Sequence, residues 1–443
     1  GDGQDDTGGD HSGDYGSRSV GIIASTHDDF YFGTYDDAGN MLTNPAAFME
    51  TDGAKKFLNF NEDGFAGIAE GGKYYTRDFD GKTAYRVIYR PNMIHPLVAF
   101  STTCVGYAVD FFDTTLGAPK PLPASDQIWP IKAVFNSLGV IGLLIFMVSF
   151  TLVLLDTPVF SALRSGEIVQ PAPVQDSGAK AWYWVLLVIG AVFSGSSFLF
   201  CMNTVYSKTT NFFVQTGPLT IGTWAALCGV FAIFCSAVFY GAYGKKHGWS
   251  ARRAGLYLNL EQLWKTIALA VIVIVVSFGL VFAAHYFFQV DYRMYVVAFK
   301  TFGADKVLIA LRYLPFFLLF YVMNSISANC FNYNTIGGKN GNILIFAFFN
   351  ALGAIFVVAS QYIYFYTTGY QLYGLTEGQR IGPIWLFPCM VLLFVTPIMS
   401  RIIYKRTRNP YIAGLINAMF IVMISCSNTT TILGGGELIA TTF

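Results

Sequence analysis

The sequence predicts a mainly α-helical, polytopic membrane protein with about eight spans behind a soluble N-terminal portion of roughly 130 residues. Three observations carry that reading. Of the 443 residues, 54% are hydrophobic and only 12% charged. The mean hydropathy is +0.48, where a water-soluble globular chain lies near or below zero. Apolar stretches long enough to cross a hydrocarbon core of about 30 Å recur through the last two thirds of the chain.

The spans are expected at about 132–156, 181–204, 217–243, 265–289, 307–329, 341–366, 381–404 and 411–430. Orientation follows from Lys and Arg in short connections. Lys245, Lys246, Arg252 and Arg253 follow the third span, and Lys405, Arg406 and Arg408 follow the seventh. With eight spans both loops face one side, expected to be the cytoplasm of a cell membrane. The N-terminal domain and the C-terminus are then extracytoplasmic. Ser250 to Leu263 is expected to form an interfacial helix or a plain loop helix, capped by Ser250. Pro383, Pro388 and Pro397 predict kinks in the seventh span.

A formal net charge of +1 offers no field for a polyanion, which argues against nucleic acid as a partner and leaves the lipid bilayer. Seven cysteines stand singly, so neither a disulfide framework nor a zinc motif is expected. No cofactor or other metal motif is found; the aspartates near the N-terminus lack EF-hand spacing.

Residues 1–18 are rich in Gly and Asp and read as a flexible segment. Residues 19–117 then form the soluble domain, 118–131 a Pro-rich linker, 132–430 the transmembrane domain and 431–443 a tail. Within the soluble domain, Ser19-Val-Gly-Ile-Ile-Ala-Ser25 reads as a buried strand that delivers His27-Asp28-Asp29. Pro45 to Phe60 has helical spacing. Lys73 to Thr76 and Thr83 to Tyr89 flank Asp80-Gly81, a hairpin signal. His95 to Phe112 is apolar at helical spacing.

Three passages of this domain resemble the C-terminal part of an α/β-hydrolase (serine hydrolase) domain. Ser19-Val-Gly-Ile-Ile-Ala-Ser-Thr-His-Asp-Asp-Phe30 looks like a late sheet strand followed by the acidic triad member. Arg86-Val-Ile-Tyr-Arg-Pro-Asn-Met-Ile-His95 looks like a strand leading to the triad histidine. Val109-Asp-Phe-Phe-Asp-Thr-Thr-Leu-Gly117 looks like the closing helix. The resemblance implies a catalytic acid at Asp28, with Asp29 second, and a catalytic base at His95. A serine hydroxyl needs an imidazole to take its proton, and the imidazole needs a carboxylate to hold its tautomer. Acid before histidine matches the chain order of these enzymes. His11 and His27 are expected at the surface.

The departure is the nucleophile. No Gly-x-Ser-x-Gly occurs in the chain. Because Gly1 opens without an initiator Met or a signal peptide, the expectation is a section of something longer, with the nucleophilic Ser on an upstream or separate polypeptide. The function expected is that of a membrane-embedded serine hydrolase acting on an ester, lipid or peptide. The alternatives are a transporter or channel with a small regulatory outer domain, and a structural subunit with a degenerate hydrolase module. Inside the spans, Arg312 and His285 are the ionisable groups singled out. Asn324, Ser325, Ser327, Asn329, Asn350, Gln361 and Asn417 are polar candidates, read as interhelical hydrogen-bonding groups ahead of a substrate pocket.

Overall fold

A computed structural model describes residues 15–36, 39–120, 122–165, 174, 176–295, 297–333, 335–432 and 438–439. His11, most of the segment 1–18 and most of the tail 431–443 lie outside the described residues. The chain divides into two compact units: residues 1–132 with 359–384, and residues 133–358 with 385–443.

In the first unit, β1 (Val20–Ile23) is followed by a short pair, β2 (Thr34–Tyr35) and β3 (Met41–Thr43), a 3-10 turn over Pro45–Glu50, and α1 (Asp52–Leu58). Asn44 and Thr51 cap the last two with their side-chain oxygens. β4 (Tyr75–Phe79) and β5 (Lys82–Tyr89) form the hairpin. Asp80 (φ 49°) and Gly81 (φ 80°) both adopt the left-handed conformation that a two-residue hairpin turn requires. β5 also pairs with β1, in parallel, from Val20↔Arg86 to Ile23↔Tyr89, giving a sheet of order β1-β5-β4. The core beneath it gathers Ile22, Ala24, Phe32, Phe48, Phe57, Leu58 and Ile88. Each such large side chain contributes about 1.5–3 kcal/mol by leaving water.

The helical run expected from His95 to Phe112 is two helices, α2 (His95–Val98) and α3 (Thr102–Leu116). Ser101 interrupts it because its backbone is extended and its hydroxyl caps Cys104 N. α3 lies over β1 where Gly21 leaves room for the Phe111 ring, which an added Cβ would meet at 3.0 Å.

Among the described residues eight helices are long and apolar enough to cross a membrane, so the chain is a multi-pass membrane protein. They are α4 (Trp129–Leu155), α5 (Ser177–Thr204), α6 (Thr216–Phe239, continued by a π-helical turn to Gly244) and α7 (Leu260–Phe288). After a small hairpin, β6 (Tyr292–Met294) and β7 (Val297–Phe299), come α8 (Ala304–Ile326, with a π-helical turn to Phe331), α9 (Gly338–Thr368), α10 (Glu377–Thr407) and α11 (Pro410–Ser427). A last pair, β8 (Thr431–Ile432) and β9 (Leu438–Ile439), closes the described chain. On α7, Leu263, Trp264, Ile267, Val271 and Val275 are exposed while Thr266, Leu269, Ala270 and Val273 are buried. An exposed apolar stripe of that length is costly in water and suited to lipid.

Close helix approaches in the second unit fall at small residues, as expected where packing and not hydrophobic exclusion drives association. A Cβ on Gly353 of α9 would meet Ala191 O of α5 at 2.5 Å, and one on Gly414 of α11 would meet Val322 Cα of α8 at 2.8 Å. The polar residues of the spans tie helices together. Asn324 Nδ2 donates to Asn350 Oδ1 (2.7 Å), Asn350 Nδ2 to Leu393 O (2.6 Å) and Asn417 Nδ2 to Thr396 O (3.2 Å).

Arg401 on α10, absent from the expected ionisable groups, is 2% exposed. Its Nε donates to Asn329 Oδ1 (2.8 Å), its Nη2 to Ala328 O (2.5 Å) and Asn342 Oδ1 (3.1 Å), and its guanidinium lies 4.4 Å from the Tyr333 ring centre. Of the two singled out instead, His285 is exposed and Arg312 half-buried.

The interfacial helix expected over Ser250–Leu263 is not formed. Residues 251–255 make turns, and α7 begins only at Leu260, where Asn259 and Gln262 form a reciprocal capping box. Gly255 stops the earlier turn at φ +80°, a conformation that only glycine adopts without strain. α10 runs unbroken from Glu377 to Thr407 through Pro383, Pro388 and Pro397.

Candidate functional site

β1 and β5 run side by side in the same direction, so their C-terminal ends emerge together. The pairing extends past the sheet as an isolated bridge between His27 and Ile94. This brings residues 66 and 67 positions apart in sequence onto one spot, the usual location of a site in a parallel sheet.

There, His95 Nδ1 lies 3.0 Å from Asp28 Oδ2. The other Asp28 oxygen accepts the backbone N–H groups of Phe30 (2.9 Å) and Tyr31 (2.8 Å), which fixes the carboxylate in a tight turn. Asp28 is 2% exposed, whereas 41% of the His95 side chain is exposed. Asp29 is fully buried, and its Oδ2 accepts the backbone N–H of His95 at 3.2 Å. The two neighbouring carboxyls therefore divide the work: Asp28 holds the ring and Asp29 holds the backbone of the same residue. The rings of Phe30 and Tyr31 stand 5.5 Å from that of His95 on its flanks.

The electrostatics follow from burial. Burial first, and repulsion from Asp28 second, push the Asp29 carboxyl up to about 7. The hydrogen bond that its ring donates to Asp28 raises the His95 imidazole above its ordinary value despite partial burial. An imidazole held at Nδ1 by a buried carboxylate, in a side chain that is partly exposed, is arranged to accept a proton at Nε2.

Sequence reasoning missed the part played by residues 359–384. Gln371 Nε2 donates to Asp29 O (2.7 Å), so the link between α9 and α10 closes over the turn that bears both aspartates. Gly369 and Gly39 permit this: a Cβ on Gly39 (φ +84°) would meet Leu375 O at 1.9 Å, and one on Gly369 (φ +78°) would meet Asn44 Nδ2 at 2.8 Å. The Arg380 guanidinium lies 4.3 Å from the Tyr35 ring centre. His27, expected at the surface, is half-buried, with its ring 4.5 Å from that of Tyr366 and 5.3 Å from that of Phe365. Burial lowers its imidazole below the ordinary value. A His followed by two acids reads as a polar turn, and nothing local in the sequence announces an aromatic partner more than 330 residues away.

Beneath the site Arg90 pins the end of β1 to the 3-10 turn through Ala24 O (2.9 Å), Pro45 O (2.6 Å) and Ala46 O (2.9 Å). Among the described residues no group of three or more His, Cys, Asp or Glu is placed to hold a metal ion. No protein-family model matches the chain, and neither a curated protein nor a solved structure does.

Proposed function

We propose that this chain is the C-terminal section of a membrane-bound serine hydrolase of α/β-hydrolase type, in which Asp28 is the acid and His95 the general base. The observation that carries the reading is the 3.0 Å contact between His95 Nδ1 and Asp28 Oδ2 at the ends of two adjacent parallel strands. In that reaction His95 Nε2 takes the proton of a serine hydroxyl as the hydroxyl attacks a carbonyl, and returns it to the leaving group. Asp28 keeps Nδ1 protonated and stabilises the imidazolium. The serine belongs to a polypeptide outside this sequence, either upstream or separate, because no Gly-x-Ser-x-Gly occurs here.

Two further features favour a missing partner. Among the described residues β1 is an edge strand, although parallel strands are normally covered on both sides. α3 leaves Val109, Phe112 and Leu116 exposed along one stripe. We place the site on the extracytoplasmic side of a cell membrane. The link from α9 to α10 touches Asp29, and with eight crossings it lies opposite the basic loops after the third and seventh spans.

Fluorophosphonate labelling of the native preparation, followed by peptide mapping, tests the reading. Label on a polypeptide that copurifies with this chain or extends it upstream, lost in His95→Ala, is expected. No label in a preparation containing that partner overturns the reading and returns the transporter and structural-subunit readings to first place.

A further inference from the structure

The second unit contains a cavity of about 180 Å³ at the junction of three connections, distant in sequence from the Asp28–His95 pair. It is lined by Arg164 and Ser165 from the link after α4, Tyr257 and Gln262 at the start of α7, and Arg408 and Asn409 between α10 and α11, among others. By the eight-span count these links, after the first, third and seventh spans, share one side of the membrane, the side of the basic loops.

The cavity is rigidly framed. Ser165 N donates to Arg406 O (3.0 Å), Arg408 Nη2 to Arg253 O (2.8 Å), Asn409 Nδ2 to Thr266 Oγ1 (2.7 Å) and Tyr411 OH to Leu256 O (2.9 Å). Gly255 presses so closely on this frame that a Cβ would meet Arg408 O at 1.7 Å. Arg408 is held at φ +53°, a conformation that costs a non-glycine residue about 1 kcal/mol or more. Its Nε is buried without a hydrogen-bond partner among the described residues.

Among the described residues two guanidinium groups line the space and no Asp or Glu does. Arg164 does reach Asp156 Oδ1 at 2.8 Å, but the two side chains of that pair are 49% and 68% exposed, where such a bridge contributes little. A cation would be repelled here, and an apolar guest would strip water from the two guanidinium groups without replacing its hydrogen bonds. The volume corresponds to roughly six waters at about 30 Å³ each, too small for a drug-sized ligand and sufficient for a phosphate group.

We propose that this cavity binds a phosphate-type anion through Arg164 and Arg408. Guanidinium forks match phosphate oxygens, and two of them border this one space. The source the position favours is an anionic phospholipid headgroup. Tyr257, 72% exposed, lines the cavity three residues before α7 begins, next to the exposed Leu260 and Trp264 that start the apolar face of that helix, where aromatic rings commonly meet headgroups.

The test uses the full chain, delipidated in detergent, and native mass spectrometry with phosphatidylglycerol, phosphatidylcholine or inorganic phosphate alone. Variants are Arg164→Gln and Arg408→Asn, the latter because Asn tolerates the left-handed backbone; Arg406→Gln, exposed and not among the lining residues, is the control. Phosphatidylglycerol is expected to bind at least tenfold more tightly than phosphatidylcholine, with that preference lost in Arg164→Gln and Arg408→Asn and kept in Arg406→Gln. Binding of inorganic phosphate alone, lost in the same two variants, supports the anion site and names the free ion as its source. Equal binding of the two lipids with no phosphate bound, or undiminished anion binding by Arg164→Gln, overturns the proposal even if Arg408→Asn fails to fold.

Discussion

Asp29→Asn should stabilise the first unit at neutral pH and above while leaving it nearly unchanged at pH 4. In the folded protein the carboxyl titrates at about 7, against 3.8 for an unburdened Asp. Between those values the unfolded chain has lost a proton that the folded chain retains, so the wild type loses stability as pH rises. The loss is about 1.4 kcal/mol per pH unit, amounting to about 4 kcal/mol once the pH passes 7. Amide and protonated carboxyl are close in shape, and the Asn oxygen still accepts the His95 N–H. The variant therefore escapes the loss without breaking the contact. Pulse proteolysis in urea, on the full chain in nanodiscs at pH 4 and pH 8, reads the difference directly. A gain confined to pH 8 and approaching 4 kcal/mol is expected. A gain equal at both pH values, or a less stable variant at pH 8, refutes the assignment of Asp29 as a carboxyl held neutral by burial and by Asp28.

The remaining expectations concern the same site and the helical unit. Asp28→Asn removes the main cause that raises the His95 imidazole, so its titration midpoint should fall in histidine-resolved NMR. A rise would contradict the pairing. Gly39→Ala puts a methyl group against Leu375 O at a positive φ. Amide exchange over residues 369–376 should accelerate at least tenfold, and unchanged protection would contradict the close packing of that link. Arg401→Met should lower the melting temperature in detergent. It strips the donors from Ala328 O, Asn329 Oδ1 and Asn342 Oδ1 and costs about 2–4 kcal/mol; an unaltered transition would mean these acceptors find other partners.

What the sequence makes legible here follows the range of the forces involved. Helix length and apolarity are local, so the spans could be drawn within a few residues, down to the short α11 with its Pro410 start. The hairpin at Asp80-Gly81 was equally local. The Asp28–His95 contact is not, and resemblance alone suggested those two residues; the parallel register that joins them depends on 58 residues of intervening chain folding between β1 and β5. The surroundings were illegible for the same reason. Gln371, Tyr366 and Gly369 sit in a span end and its link, where aromatic and small residues are commonplace, and only the fold gives them Asp29, His27 and Asn44 as neighbours. Arg401 escaped notice because one arginine near a helix end ordinarily reaches for water, whereas here Asn329, Asn342 and Ala328 O turn it inward. The failed helix over Ser250–Leu263 teaches the converse. Arginines one face apart imitate an amphipathic pattern, but Gly255 is pressed on Arg408 O, and a contact 153 residues away decides what the local pattern cannot. The same contact frames the cavity between Arg164 and Arg408, so the residue that misleads the local reading is the one that shapes the second candidate site.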